Sequence, residues 1–345
     1  MRAIKPKLSI ILPAYNEEII IKKNVGRIVE YLYNLEKKYN WEIILVNDGS
    51  KDKTGQFADE LAGTNSNVRT FHHETNKNLG HAIRTGINKA NGDCLIVLDL
   101  DLSYSTNHIE RLADTLFQQS ADVVIASPYM PGGKSTAVPK NRLLLSKVVN
   151  RFMRAAAQEK YYTFTGMVRA YRGDFIKNVN LKTKDYEINP EILYKSMILR
   201  AKILEIPAHL DWSEQNNEVR RTSSIRILKG VFSGLMSGFI FRPYIFFLGV
   251  GIFTLLISLY IIGWIFYHTF SVMPTLNVDV NFIDDKFSFA IAQVFQDRPH
   301  AFLIGGFTFV IALLFLGIGF LSLQSKRYFE ELFHLGTTNL IISKK

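Results

Sequence analysis

A chain of 345 residues with 48% hydrophobic and 12% aromatic side chains, a formal net charge of +10 and one cysteine has room for one sizeable α/β core and further elements. Cys94 has no partner in the chain, which excludes an internal disulfide. No zinc, helix-turn-helix or RNP-type pattern accompanies the positive charge, so nucleic acid is not an expected partner, and an anionic membrane surface accounts for it more simply.

The amino terminus is basic, but Leu8 to Leu12 is too short an apolar run for a signal peptide. From there to about residue 130, short apolar runs alternate with polar helical stretches, the pattern of a parallel sheet covered by helices. Strands are expected over Leu8–Leu12, Glu42–Val46, Val68–Phe71, Leu95–Leu98 and Val123–Ala126. Helices are expected over Glu18–Lys38, Lys53–Ala62, Leu79–Ala90 and Thr106–Gln118. Ligands of open sheets bind beyond the carboxyl ends of the strands. Pro13 to Glu17 follow the first strand, Asn47 to Ser50 the second and Asp99 to Ser103 the fourth, so three polar strand ends should converge on one crevice.

Asp99-Leu100-Asp101 places two carboxylates two residues apart past an apolar strand. Such a pair can share Mg²⁺ or Mn²⁺, whose open positions suit diphosphate oxygens. A solvated turn with a helix-capping Asp is the plainer alternative. His72, His73, His81 and His108 match no zinc spacing and read as surface or core histidines. Asn78-Leu79-Gly80 lacks the three glycines of a dinucleotide fingerprint.

Residues 131 to 240 read as a second, substrate-facing layer, with Pro131-Gly132-Gly133 as a loop and Asn141 to Ala157 as an amphipathic helix. Helical spacing puts Arg142, Ser146 and Asn150 on one face of it. A guanidinium and a hydroxyl one turn apart suit a lipid phosphate. The alternative is a basic surface helix with Leu145, Val149 and Phe152 inward and Lys147, Arg151 and Arg154 solvated, which would also lie well at an anionic interface.

A second amphipathic stretch, Ser223 to Phe239, leads into Pro243 to Tyr267, 25 positions without a charged side chain, and Ala301 to Gln324 gives 24 more. Either run can cross about 30 Å of hydrocarbon as a helix. The segment between them carries Asp279, Asp284, Asp285 and Asp297 against Lys286 and Arg298, whereas Arg242, Lys326 and Arg327 flank the spans on the other side. The positive-inside rule then puts both termini in the cytosol. The expected organisation is a cytosolic catalytic domain over 1–222, a juxtamembrane helix over 223–242, a transmembrane hairpin over 243–324 and a cytosolic tail over 325–345. Gly305-Gly306 and Gly317-Ile318-Gly319 allow close helix approach and so oligomerisation through the membrane.

Pro13-Ala14-Tyr15-Asn16-Glu17, Val46-Asn47-Asp48-Gly49-Ser50, Asn78-Leu79-Gly80 with Gly86, and Asp99-Leu100-Asp101, in this order over about 130 residues, resemble the family-two glycosyltransferases. The resemblance implies a GT-A fold, a Rossmann-like, mainly parallel sheet with helices on both faces. It assigns Pro13, Tyr15, Glu17 and Asp48, with Asp99, to the nucleotide sugar, and Asp99 and Asp101 to Mn²⁺ or Mg²⁺.

Ser127-Pro128-Tyr129 with Gly132-Gly133, Arg142 with Ser146 and Asn150, Thr165-Gly166 with Arg169 and Tyr171, and Arg220 with Ser224 look like the polyprenyl-phosphate sugar synthases. That subfamily implies Arg142 and Ser146 at the acceptor phosphate and Arg220 at the donor diphosphate. It further implies a polyprenyl phosphate acceptor, an integral membrane protein, and the plasma membrane of a prokaryote as its location. Many relatives have Arg where Pro128 stands, an acidic residue near Tyr162 and Gln where Ser103 stands, so one expected phosphate contact is lost at Pro128 and the third metal-side ligand is altered at Ser103, while the fold is not affected.

The reaction implied is one in-line displacement at the anomeric carbon by a lipid phosphate oxygen, which inverts configuration. That nucleophile is already anionic, so positioning and charge neutralisation replace a strong general base. Asp99, Asp101 and Arg142 are the residues expected to carry it. A processive polysaccharide synthase of the same fold would show Gln-x-x-Arg-Trp and more membrane helices, neither of which occurs. A lipid transporter needs a polar path that two uncharged spans do not offer, and intact Asp48, Asp99, Asp101 and Arg142 argue against an inactive scaffold.

Overall fold

The computed structural model describes residues 5–157, 159–214, 243–276 and 283–343. They fall into two compact units, Met1–Phe241 with Leu332–Lys345, and Arg242–Glu331.

The first unit is built on a seven-stranded sheet. Its strands are β1 (Lys7–Ala14), β2 (Asn40–Asn47), β3 (Val68–His72), β4 (Cys94–Val97), β5 (Val123–Ser127), β7 (Arg169–Arg172) and β8 (Ile203–Pro207). They lie in the order β3-β2-β1-β4-β7-β5-β8. All neighbours are parallel except β7, which runs antiparallel to β4 and β5. Two further short strands, β6 (Lys134–Thr136) and β9 (His209–Asp211), form a separate parallel pair. The helices of this unit are α1 (Ile21–Asn34), α2 (Thr54–Thr64), α3 (Leu79–Lys89), α4 (Asn107–Gln118), α5 (Lys140–Ala156), α6 (Gly173–Asn178) and α7 (Ile188–Ile198).

β1 is apolar on both faces because helices cover both. Leu8, Ile10 and Leu12 join Val25 and Ile28 of α1 and Ile109 and Leu112 of α4 in one core layer. Ile11 points the other way, into a second layer with Ile83 and Ile87 of α3 and Ile192 of α7. Gly86 lets α3 lie close on β1, since a Cβ there would stand 2.3 Å from Ile11 Cγ2. The chain winds outward from β1 through β2 to β3, then returns to β4 on the other side of β1. That reversal opens a crevice beyond the carboxyl ends of β1 and β4.

All five expected strands form and run parallel to one another, but β7, antiparallel to both, separates β4 from β5. Its four residues, Arg-Ala-Tyr-Arg, give no apolar run. Arg169 is nevertheless fully buried, donating to the carbonyls of Asn189 (2.8 Å) and Phe164 (2.6 Å). α1 is shorter than the apolar periodicity suggested, starting at Ile21 and ending at Asn34. The amphipathic stretch expected over Ser223–Phe239 lies outside the described residues.

Glu42, 4% exposed, anchors the amino end of the sheet. It accepts from Ser9 Oγ and Asn91 N, both at 2.7 Å, and pairs with Lys7 at 3.0 Å and Arg69 at 3.2 Å. Burial raises its pKa, but the bonds from Ser9, Asn91 and Lys7 outweigh that and hold it below the usual glutamate value. A lowered folded-state pKa means stability that is present above the unfolded value of about 4.3 and lost as pH falls through the folded one. Glu42→Gln should therefore cost about 1 to 2 kcal/mol at neutral pH, because Lys7 and Arg69, each more than a third exposed, lose their ion-pair partner while an amide oxygen can still accept from Ser9 and Asn91. The gap to the native chain should narrow below roughly pH 4. Equal melting temperatures at pH 7 would refute this.

The second unit contains a helix over Pro243–Val272, a 3₁₀ turn over Met273–Thr275, a helix over Ile283–Asp297 and most of a helix over Pro299–Ser343. Two of them are long and apolar enough to cross a membrane. Large apolar side chains on them point outward, such as Phe253 (66% exposed) and Tyr260 (74%), as a lipid-facing surface requires. The last helix does not stop at Gln324 but runs on to Ser343. Ser258 Oγ donates to the Gly305 carbonyl at 3.0 Å, and a Cβ on Gly319 would stand 2.7 Å from Leu248 Cδ2. Gly305 and Gly319 thus bring the two long helices of one chain together, whereas a Cβ on Gly306 or Gly317 would meet nothing within 4 Å.

Candidate active site

The loops after β1 and β2 are stitched into one wall. Asn16, at φ +54°, donates its N–H to Ser50 Oγ (3.0 Å), and its side-chain oxygen accepts from Lys51 N (2.9 Å). Glu17 N donates to Thr54 Oγ1 at 2.7 Å. Gly49 turns at φ +66°, and a Cβ there would stand 2.4 Å from the Thr75 carbonyl carbon, so the Asp48-Gly49-Ser50 turn requires glycine. Pro13 still pairs in register with Val46, while the Tyr15 ring is 41% exposed. An exposed aromatic face and the half-buried Glu17 on a fixed loop can stack on a base and accept its hydrogen bonds.

Asp48 is only 3% exposed. His73 Nδ1 donates to its Oδ1 at 2.6 Å, Lys77 N donates to the same oxygen at 3.0 Å, and His73 Nε2 meets Thr85 Oγ1 at 2.9 Å. Of the surface and core alternatives that the sequence left for His73, its side chain takes the buried one, 8% exposed, where it fixes a candidate donor-binding carboxylate.

Asp99 and Asp101, both half-buried, sit on the turn that leaves β4. Leu102 takes φ +51°, and Ser103 N closes the turn by donating to Asp101 Oδ1 at 3.0 Å. Asn24 Nδ2 donates to Leu100 O at 2.9 Å and holds the turn from below. Burial, and then the Asp99 carboxylate, push the Tyr104 phenol well above its usual pKa. Among the described residues no three or more His, Cys, Asp or Glu side chains form a metal-ligating group. Two carboxylates on one turn fit a divalent ion that would keep positions open for a diphosphate.

From this turn a chain of contacts leads to α5. Ser103 O accepts from Asp211 N at 2.8 Å, Trp212 N donates to Thr136 O at 3.1 Å, and the Arg142 guanidinium lies over the Trp212 ring at 5.0 Å. Arg142 is half-buried and Ser146 follows one turn on. Asn150, which the helical spacing placed with them, is 2% exposed and serves the scaffold. Its Oδ1 accepts from Phe164 N (2.6 Å) and Thr165 N (3.3 Å), and its Nδ2 donates to Thr165 Oγ1 (3.1 Å).

Glu205 of β8 accepts from the N–H groups of Tyr162 and Thr163 at 2.8 and 2.9 Å. Burial raises its pKa against those bonds. A carboxylate therefore does stand beside Tyr162, supplied from 43 residues downstream. Ser103 sits at the closing position of the Asp99–Asp101 turn and is buried there. Arg220 lies outside the described residues.

The model of glycosyl transferase family 2 matches residues 9–179. Those residues are a family 2 domain, and the chain is a glycosyltransferase. Polyprenol monophosphomannose synthase of Mycolicibacterium smegmatis is 28% identical over 230 residues, 65% of this chain and 83% of that one. Dolichol-phosphate mannosyltransferase of Pyrococcus furiosus is 30% identical over 204 residues, 58% of this chain and 55% of its own length. The chain thus spans about half of that second relative. A crystal structure of glucosyl-3-phosphoglycerate synthase from Mycobacterium tuberculosis with Mg²⁺ and uridine-diphosphate matches over 68% of this chain and 79% of its own, at 17% identity and a TM-score of 0.49.

Proposed function

We propose that this glycosyltransferase moves a single sugar from a nucleoside diphosphate onto a polyprenyl phosphate, with inversion at the anomeric carbon. The observation that carries the reading is the bridge from the Asp99–Asp101 turn through Asp211 and Trp212 to Arg142. It supports the reading by linking the turn assigned to the diphosphate to a cation that can meet a second anion. The names of both relatives refer to polyprenyl phosphate chemistry, and two apolar helices suit a membrane-embedded acceptor.

Pro13, Tyr15, Glu17 and Asp48 would hold the base and ribose, and Arg142 and Ser146 the acceptor phosphate. Asp99 and Asp101 would hold Mn²⁺ or Mg²⁺, which when bound neutralises charge on the departing diphosphate. With an anionic nucleophile the protein's task is to orient two mutually repelling phosphates and keep water away.

Purified protein should be incubated with radiolabelled UDP- and GDP-sugars, undecaprenyl phosphate and Mn²⁺, then extracted with organic solvent. Label from one donor should enter the lipid phase, EDTA should stop it, and added Mn²⁺ or Mg²⁺ should restore it. Label that stays in water or enters a polymer would overturn the reading. The termini are assigned to the cytosol from the charge asymmetry around the spans. A Ser288→Cys variant should react with an impermeant thiol reagent from the outside of intact cells. Reaction only after lysis would reverse the assignment.

A further inference from the structure

The Ser146 hydroxyl is surrounded by donors. The Tyr129 hydroxyl donates to Ser146 Oγ at 2.7 Å, and Asn150 Nδ2 approaches the same oxygen at 3.4 Å while donating to the Ser146 carbonyl at 2.8 Å. An amide nitrogen can only donate, and of the two hydroxyls the phenol is the more acidic and the poorer acceptor. The shared proton therefore belongs to Tyr129, and Ser146 keeps its own proton for a further acceptor. Tyr129 is itself held: it follows the carboxyl end of β5, half-buried, and burial pushes its pKa up, so it stays a protonated donor at neutral pH. We propose that Tyr129 is a positioning residue that makes Ser146 a one-way donor toward the acceptor phosphate. This rests on the reading of Ser146 as an acceptor-phosphate residue.

The arrangement has a consequence for selectivity. A hydroxyl that can only donate favours an anionic oxygen and gives little to a neutral alcohol, which gains most from a group able to accept. Pro128 offers no cation here, so of the residues assigned to this phosphate Arg142 is the charge and Ser146 supplies direction. Losing the polarisation of Ser146 should then be felt in phosphate binding and hardly in lipid-chain binding.

The test uses the full chain in detergent micelles and isothermal titration calorimetry with farnesyl phosphate, farnesol, and whichever of UDP and GDP binds. Tyr129→Phe and Ser146→Ala should each weaken farnesyl phosphate roughly five- to tenfold. The double variant should be no weaker than Ser146→Ala alone, because Tyr129 acts through Ser146. Nucleotide and farnesol affinities should stay unchanged in all three, which also reports that the variants fold. Native affinity in Tyr129→Phe with a loss in Ser146→Ala overturns the positioning role and spares the acceptor reading. Native affinity in Ser146→Ala overturns the acceptor role of Ser146 and the proposal with it. Additive losses, or equal losses for farnesol or nucleotide, would make Tyr129 an independent or merely structural contact.

Discussion

Asp101→Asn should cut sugar transfer by roughly 1,000-fold, the loss of several kcal/mol of charge stabilisation at the leaving group. The fold should be unaffected for a local reason. Asp101 Oδ1 accepts from Ser103 N, and an asparagine oxygen can accept the same bond, so the turn at Leu102 and its link to Asp211 persist. Only charge is removed, at a half-exposed position where a neutral amide carries no desolvation cost. The melting temperature should therefore match that of the native chain while turnover collapses. Asp99→Asn should behave alike if both carboxylates hold the ion. Transfer near the native rate in Asp101→Asn would remove the metal assignment and leave basic residues alone to neutralise the diphosphate.

The sheet was legible because its signal is local. Leu8, Ile10, Ile11 and Leu12 form an apolar run that a strand covered on both faces demands, and the loops after β1, β2 and β4 carry the polar residues that strand-end logic seeks. β7 was not legible, because Arg169 and Arg172 bracket only two apolar residues. What seats it is a buried guanidinium bonded to carbonyls 20 and 5 residues away. Its insertion between β4 and β5 is a long-range packing decision with no periodic trace.

The site shows the same division. The candidate carboxylates and the Arg142, Ser146 pair are visible in the sequence through their spacing taken together with the family resemblance, whereas their supports come from elsewhere in the chain. Trp212 lies far along the sequence from Arg142, and nothing in a linear reading pairs an isolated tryptophan with that cation. His73 could have been found. β3 runs parallel to β2 with His72 opposite Asn47, so the next residue falls beside Asp48, and the third strand end belonged in the crevice with the others.

Arg142 decides whether this is a polyprenyl-phosphate enzyme. Arg142→Ala should weaken the lipid phosphate by about 1.5 to 3 kcal/mol, a tenfold to roughly hundredfold rise in its KM or Kd. Binding of the nucleotide sugar should hardly change, because Trp212 keeps its bond to the Thr136 carbonyl without the guanidinium above it. Arg142→Lys should rescue in part. It restores the charge, but an ammonium cannot span two phosphate oxygens, and it forfeits the planar stack over the Trp212 ring. A lysine as good as arginine would mean that the site needs only a nearby positive charge. Should Arg142→Ala weaken donor and lipid alike, or neither, α5 is a structural helix, and the lipid acceptor would rest on the two apolar helices and the relatives alone.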